Sequence, residues 1–116
     1  MRNKIGDKQR VEHIVDAIEF CVKIASEMSK EEFLNDRISC LAIERQLEII
    51  GEASNHISDE LKMNYESADW NKIIAFRNFI AHEYFKIDYD IIWRIINSEI
   101  VELNQVMETI IKNENF

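Results

Sequence analysis

RISCLAIERQLEIIGEASNHISDELKM, residues 37–63, carries a period that belongs to one kind of element. Cys40, Ile43, Leu47, Ile50, Ser54, Ile57 and Leu61 recur at steps of three and four, which puts them on one face of an α-helix. The strict alternation of a half-buried strand is absent. Gly51 interrupts otherwise good helix formers at a cost of about 1 kcal/mol relative to alanine. That residue points to a close approach by a neighbouring helix, to a bend, or to no structural demand at all.

On either side the same period recurs. Upstream, Val11, Ile14, Val15, Ile18, Cys21, Val22 and Ala25 make an apolar stripe. Asp7 reads as the N-cap of a helix that runs to about residue 28. Ser29-Lys30-Glu31-Glu32 resembles a capping box that starts a short turn through Leu34, and Asn35-Asp36 reads as a break with a new cap. Downstream, residues 64–68 read as a loop and Asp69 as the cap of a helix over 70 to about 84, with Trp70, Ile73, Ile74, Ile80 and Ala81 toward the core. Ile87-Asp88 is a further connection and cap. A last helix from 89 to about 112 carries Ile92, Ile95, Ile96, Ile100, Leu103, Val106, Met107 and Ile110, and the tail is expected to fray. The predicted fold is all-α: an antiparallel four-to-five-helix bundle, with residues 1–116 forming a single domain.

Composition agrees. The chain has no proline and only two glycines, Gly6 and Gly51, so the many tight turns of a β-rich fold have no residues to make them. Hydrophobic residues at 47% and charged residues at 31% are those of a globular protein. No apolar region follows the charged N-terminus and no apolar run is long enough to span a bilayer, so neither a signal peptide nor a membrane span is expected. Cys21 and Cys40 sit in amphipathic patterns and read as buried, reduced thiols; the expected location is the cytoplasm.

The formal net charge is -8, which weighs against broad wrapping of nucleic acid. Residues 70–94, however, hold Lys72, Arg77, Lys86 and Arg94 against Glu83, Asp88 and Asp90, a local charge of +1 in an acidic shell. A site that touches a few phosphates is compatible with that distribution.

Within that region stands Arg77-Asn78-Phe79-Ile80-Ala81-His82-Glu83-Tyr84. On a helix, Asn78 and His82 lie one turn apart on one face, and Arg77 and Tyr84 align across almost two turns. A fixed cation, an amide, a titratable imidazole and a phenol thus occupy adjoining faces. These parts suit RNA cleavage without a metal. The ribose 2′-hydroxyl loses a proton and attacks phosphorus, and the 5′-oxygen leaves. Histidine titrates near working pH and can be base or acid. A guanidinium can hold two phosphate oxygens as charge builds on them, and Asn78 can orient either partner. One histidine leaves either base or acid unsupplied, so a homodimer that brings two copies of His82 and Arg77 across one groove is expected.

The pattern Arg-x4-His-x-Tyr, as Arg77, His82 and Tyr84, resembles the signature of the HEPN superfamily, and more closely the HepT-like toxins of HEPN/MNT toxin–antitoxin pairs. The segment from Ala42 to Ala53, Trp70 ahead of Arg77, and Ile87-Asp88-Tyr89-Asp90-Ile91-Ile92-Trp93 after it extend the likeness over roughly residues 11–103. One departure is Glu99-Ile100-Val101-Glu102-Leu103, where the pattern would carry a proline before the final stretch. The resemblance implies a helical dimer that cleaves RNA, with Arg77 and His82 catalytic. It also implies a partner antitoxin, a minimal nucleotidyltransferase, that moves AMP from ATP onto Tyr84. Arg45 and Glu52 become supports behind the site on resemblance alone, and no cofactor is implied.

Plainer readings stand beside these. Taken singly, Arg77 reads as a surface ion pair, His82 as a hydrogen-bonded interfacial histidine and Tyr84 as a core-edge tyrosine. His82-Glu83 begins like a zinc-protease helix, but Lys86 occupies the second histidine position. His13 and His56 fall in separate helices without ligand spacing, and Glu52 and His56 read as a helical salt bridge. Trp70 and Trp93 read as core anchors. The competing function is a non-catalytic module that binds nucleotide or substrate for a partner nucleotidyltransferase; a purely structural helical dimer is the third.

Overall fold

The helical period is realised as seven helices, with no strand among the described residues: α1 (Lys4–Glu27), α2 (Lys30–Asn35), α3 (Arg37–His56), α4 (Asp59–Asn64), α5 (Trp70–His82), α6 (Tyr89–Asn97) and α7 (Glu99–Glu114). The structure, a computed structural model, describes the backbone of residues 4–82 and 87–116 and the side chains of residues 6–76 and 87–116. The architecture is the all-α bundle expected. α3 lies at its centre, packed along α1 on one side and α5 on the other. α7 lies against α1, while α6 touches α7, α1, α2 and α3. At 1.5 Å per residue the 24 residues of α1 span about 36 Å, most of the 45 Å long axis.

Caps set the corners. The Ser29 hydroxyl accepts from the Glu32 N–H at 3.1 Å, and the Glu32 carboxylate accepts from the Ser29 N–H at 2.9 Å, the reciprocal box read from the sequence. Asp36 caps α3, its carboxylate accepting from the Ser39 hydroxyl at 2.9 Å. Asp69 accepts from the Lys72 N–H at 3.1 Å at the head of α5, and Asp88 from the Asp90 N–H at 2.9 Å at the head of α6.

Three boundaries differ from expectation. Asp7 does not cap α1, which begins at Lys4; it sits inside the first turn, 2% exposed. Its carboxylate instead accepts from the Ser58 N–H at 2.8 Å and the Ser58 hydroxyl at 2.6 Å. The same bonds explain the second difference, for residues 37–63 are not one helix. Ser58, extended at φ -61 and ψ 148, ends α3's run and caps α4, its hydroxyl accepting from the Leu61 N–H at 3.2 Å. A continuous helix would have committed the Ser58 N–H to its own ladder and left the buried Asp7 carboxylate without it. Third, the last helix breaks at Ser98, the place where the expected proline was missing. The Ser98 hydroxyl lies 2.7 Å from both the Arg94 carbonyl and the Glu99 carboxylate, and α6 and α7 then bury separate faces.

The core follows the stripes. Every apolar position quoted from 40 to 61 is buried, as are Val11, Ile14, Ile18 and Cys21. Val22, in the stripe of α1 by period, is 39% exposed, while Phe76, outside the positions of α5 expected in the core, is buried at 6%. Val15, Ala25, Ile74, Ile95 and Val106 are half-buried at the margin. Trp70 is buried, and Trp93 packs on Phe33 with ring centroids 5.2 Å apart. Both cysteines are free and buried.

Candidate active site

α5 carries the motif, and its first half explains how. Asp69 caps it, the Trp70 indole N–H donates to the Tyr65 carbonyl at 3.0 Å, and Trp70, Ile73 and Phe76 recur every three residues as buried anchors. The helix continues to His82, so positions 77, 78 and 82 are held at fixed register. Positions 78 and 82 are one turn apart; 77 and 82 are separated by about 7.5 Å along the axis and about 140° around it. The side chains of Arg77, Asn78 and His82 lie outside the described residues, as does Tyr84 altogether.

Past the motif the chain is fastened again at the first turn of α6. The Tyr89 hydroxyl donates a hydrogen bond to the Glu44 carboxylate on α3. Burial first, then the hydrogen bond to Glu44 and that carboxylate's charge, push the Tyr89 phenol up to about 12, so it keeps its proton and acts as donor. Its ring meets Phe33 edge-on, with centroids 6.5 Å apart. Next to it Asp90 pairs with Lys30 at 2.7 Å. Glu44 and Tyr89 both fall in segments quoted for the resemblance, yet nothing in the sequence pairs two residues 45 positions apart.

Arg45 and Glu52 are brought together. They line a groove of about 330 Å³ between α1 and α3 with Arg10, His13, Glu48 and His56. Arg45 pairs with Glu48 at 3.4 Å, and His56 with Glu52 at 2.9 Å, the helical pair expected. His13 and His56, on separate helices as expected, both line this groove, but no group of three or more His, Cys, Asp or Glu able to hold a metal ion occurs among the described residues.

Both cysteine thiols are buried and favoured in the protonated form. Burial pushes Cys21 up to about 12, and Cys40, raised by burial and then by Asp36 and Glu44, donates its S–H to the Phe33 carbonyl at 3.1 Å. A second groove, of about 480 Å³, opens between α5 and α7 over Ile73, Phe76, Leu103 and Val106, with Lys72 and Glu99 paired at 3.2 Å on its wall. The sequence gives no sign of it, because it depends on which helices become neighbours. No helix among the described residues is long and apolar enough to cross a membrane.

An all-α bundle whose core-anchored fifth helix carries Arg77 and His82 in its sequence matches the class of helical ribonucleases. The chain belongs to the ribonuclease HepT-like family, whose model matches residues 14–110. It is 36% identical over 104 residues to "Putative RNase TTE0752" of Caldanaerobacter subterraneus subsp. tengcongensis, covering 90% of this chain and 93% of that one. It is 32% identical over 109 residues to "Probable ribonuclease HepT" of Thermococcus cleftensis, covering 94% and 99%. With "Putative RNase MJ1380" of Methanocaldococcus jannaschii it shares 31% over 97 residues, covering 84% and 89%. No solved structure matches at a significant level.

Proposed function

We propose that this chain is a metal-independent endoribonuclease whose active site is the far half of α5, and that it is the toxin of a HEPN/MNT toxin–antitoxin pair. The observation that carries the reading is α5 itself: a helix locked into the core through Trp70, Ile73 and Phe76 that runs unbroken under Arg77, Asn78 and His82. His82 takes the 2′-hydroxyl proton; the freed oxygen attacks the adjacent phosphorus; the P–O5′ bond breaks and the leaving oxygen is protonated. Arg77 holds the phosphate oxygens as charge develops, and Asn78 positions the phosphodiester. Arg45 and Glu52, which line the groove between α1 and α3, keep a supporting role on the resemblance alone. The protein works as a homodimer, because one histidine per chain supplies either base or acid, and a twofold axis supplies the other.

Control follows from the same site. A minimal nucleotidyltransferase partner transfers AMP to Tyr84: the phenol oxygen attacks the α-phosphorus of ATP and pyrophosphate leaves. The added phosphate then occupies the cation meant for RNA. Selectivity is helped by the other two tyrosines, whose hydroxyls are committed to carboxylates, Tyr65 to Glu114 at 2.9 Å and Tyr89 to Glu44.

The test is purified protein, shown by mass spectrometry to be unmodified on Tyr84, incubated with RNA in EDTA. Cleavage to 2′,3′-cyclic phosphate ends is expected, reduced about 10²-fold or more in His82→Ala and Arg77→Ala. Binding of RNA without cleavage would replace this reading with that of a non-catalytic binding module.

A further inference from the structure

We infer that Glu44 and Tyr89 are positioning residues for the nuclease centre, holding the chain where it returns to the bundle after the motif helix. The inference rests on α5 being the site of cleavage. α5 ends at His82 and α6 begins at Tyr89, so residues 83–88 join them. One end of that connection is set by α5, which packs along α3. The other is set by the hydrogen bond from Tyr89 to Glu44, also on α3. Both ends are therefore referred to one helix, α3, on which the motif helix also packs.

The fastening at Tyr89 exceeds what α6 needs to pack. Ile92 and Ile96 already bury the helix's apolar face, and Lys30 with Asp90 ties its first turn to α2. The hydroxyl contact adds direction: a donor that keeps its proton, against a carboxylate fixed mid-helix, tolerates little sliding, whereas the Phe33 ring against Tyr89 alone would permit it. Catalytic groups misplaced by about 1 Å lose up to about 10²-fold in rate.

The molecule supplies its own control. Tyr65 donates to Glu114 at 2.9 Å, the same chemistry in a similarly half-buried setting, but it joins the loop before α5 to the end of α7. Single-turnover RNA cleavage and thermal unfolding are measured for Tyr89→Phe, Glu44→Ala, Glu44→Gln, Tyr65→Phe and the double variant Tyr89→Phe/Glu44→Ala. Tyr89→Phe and Glu44→Ala are each expected to cleave about tenfold more slowly at saturating RNA with KM unchanged. The double variant is expected to be no slower than either single one. Glu44→Gln, which still accepts from the phenol, recovers the rate, and Tyr65→Phe loses thermal stability while cleaving normally. Wild-type cleavage by Tyr89→Phe, or a rate loss that Tyr65→Phe shares at equal loss of stability, overturns the inference. Undiminished cleavage by His82→Ala would instead remove the reading on which it rests.

Discussion

Asp7→Ala should be among the most damaging single substitutions on the face of α1. Asp7 is 2% exposed, and its two oxygens accept from the Ser58 N–H at 2.8 Å and the Ser58 hydroxyl at 2.6 Å. Hydrogen bonds to a charged group contribute about 1.5–3 kcal/mol each, so losing both costs about 3–6 kcal/mol. The damage is not confined to the pair. Ser58 passes the contact on, because its hydroxyl, while donating to Asp7, accepts from the Leu61 N–H and caps α4. A chain of this size loses about 4 °C of Tm per kcal/mol, which gives a fall of about 12–24 °C. The assay is urea unfolding at neutral pH of wild type, Asp7→Ala, Asp7→Asn, Ser58→Ala and the Asp7→Ala/Ser58→Ala double variant. Asp7→Asn keeps one carbonyl acceptor and should lose about half as much. The single losses should exceed additivity by at least about 1 kcal/mol, because each removes the same contact. An Asp7→Ala loss below about 1 kcal/mol, or strict additivity with Ser58→Ala, would mean that the α3–α4 corner is set by something other than this carboxylate.

Two further outcomes are expected. Cys21 has its thiol raised from 9.0 to about 12 by burial, so the folded state favours the neutral form more than the unfolded state does. That stability is complete below pH 9 and is lost as pH rises toward 12, with a limiting slope of about 1.4 kcal/mol per pH unit. Urea midpoints between pH 8 and 10 should therefore fall more steeply for wild type than for Cys21→Ala, and parallel curves would refute the assignment. Separately, incubation with ATP and the partner nucleotidyltransferase should add one AMP to wild type, Tyr65→Phe and Tyr89→Phe, and none to Tyr84→Phe, read by intact mass. An AMP retained in Tyr84→Phe would place the modification elsewhere.

Much of this fold is legible because helical burial repeats locally. Every stripe position from Cys40 to Leu61 is buried, with Gly51 and Ala53 added beside them, although the chain bends at Ser58 inside the stripe. The bend itself escaped for a physical reason. Ser58-Asp59-Glu60 is a fair N-terminal signal, but it competes with an unbroken apolar period, and the deciding partner, Asp7, is 51 residues away. Asp7 misled in the same way, since an aspartate near a helix start reads as a cap until something distant claims its oxygens. Val22 and Phe76 mark the limit of periodicity alone: both lie at the edge of a stripe, and which edge is covered depends on the neighbouring helix.

The candidate site divides along the same line. Arg77, Asn78 and His82 are close in sequence, so their register on α5 follows from the chain itself. What holds the sequel of that helix in place is non-local: Glu44 receiving Tyr89, and Lys30 meeting Asp90. Ion pairs bear on the charge problem as well. Lys30, Lys72 and Arg45 are each already matched to a carboxylate. A protein of net charge -8 has little long-range attraction for RNA. Its substrate affinity must then come from a few close phosphate contacts, and the salt dependence of KM should be correspondingly shallow, of the order of two phosphates neutralised per site and a slope in log KM against log salt of about 1.4 for single-stranded RNA. A slope of about 5 or more would require a broad basic surface, and no arrangement of this chain's net charge of -8 readily supplies one.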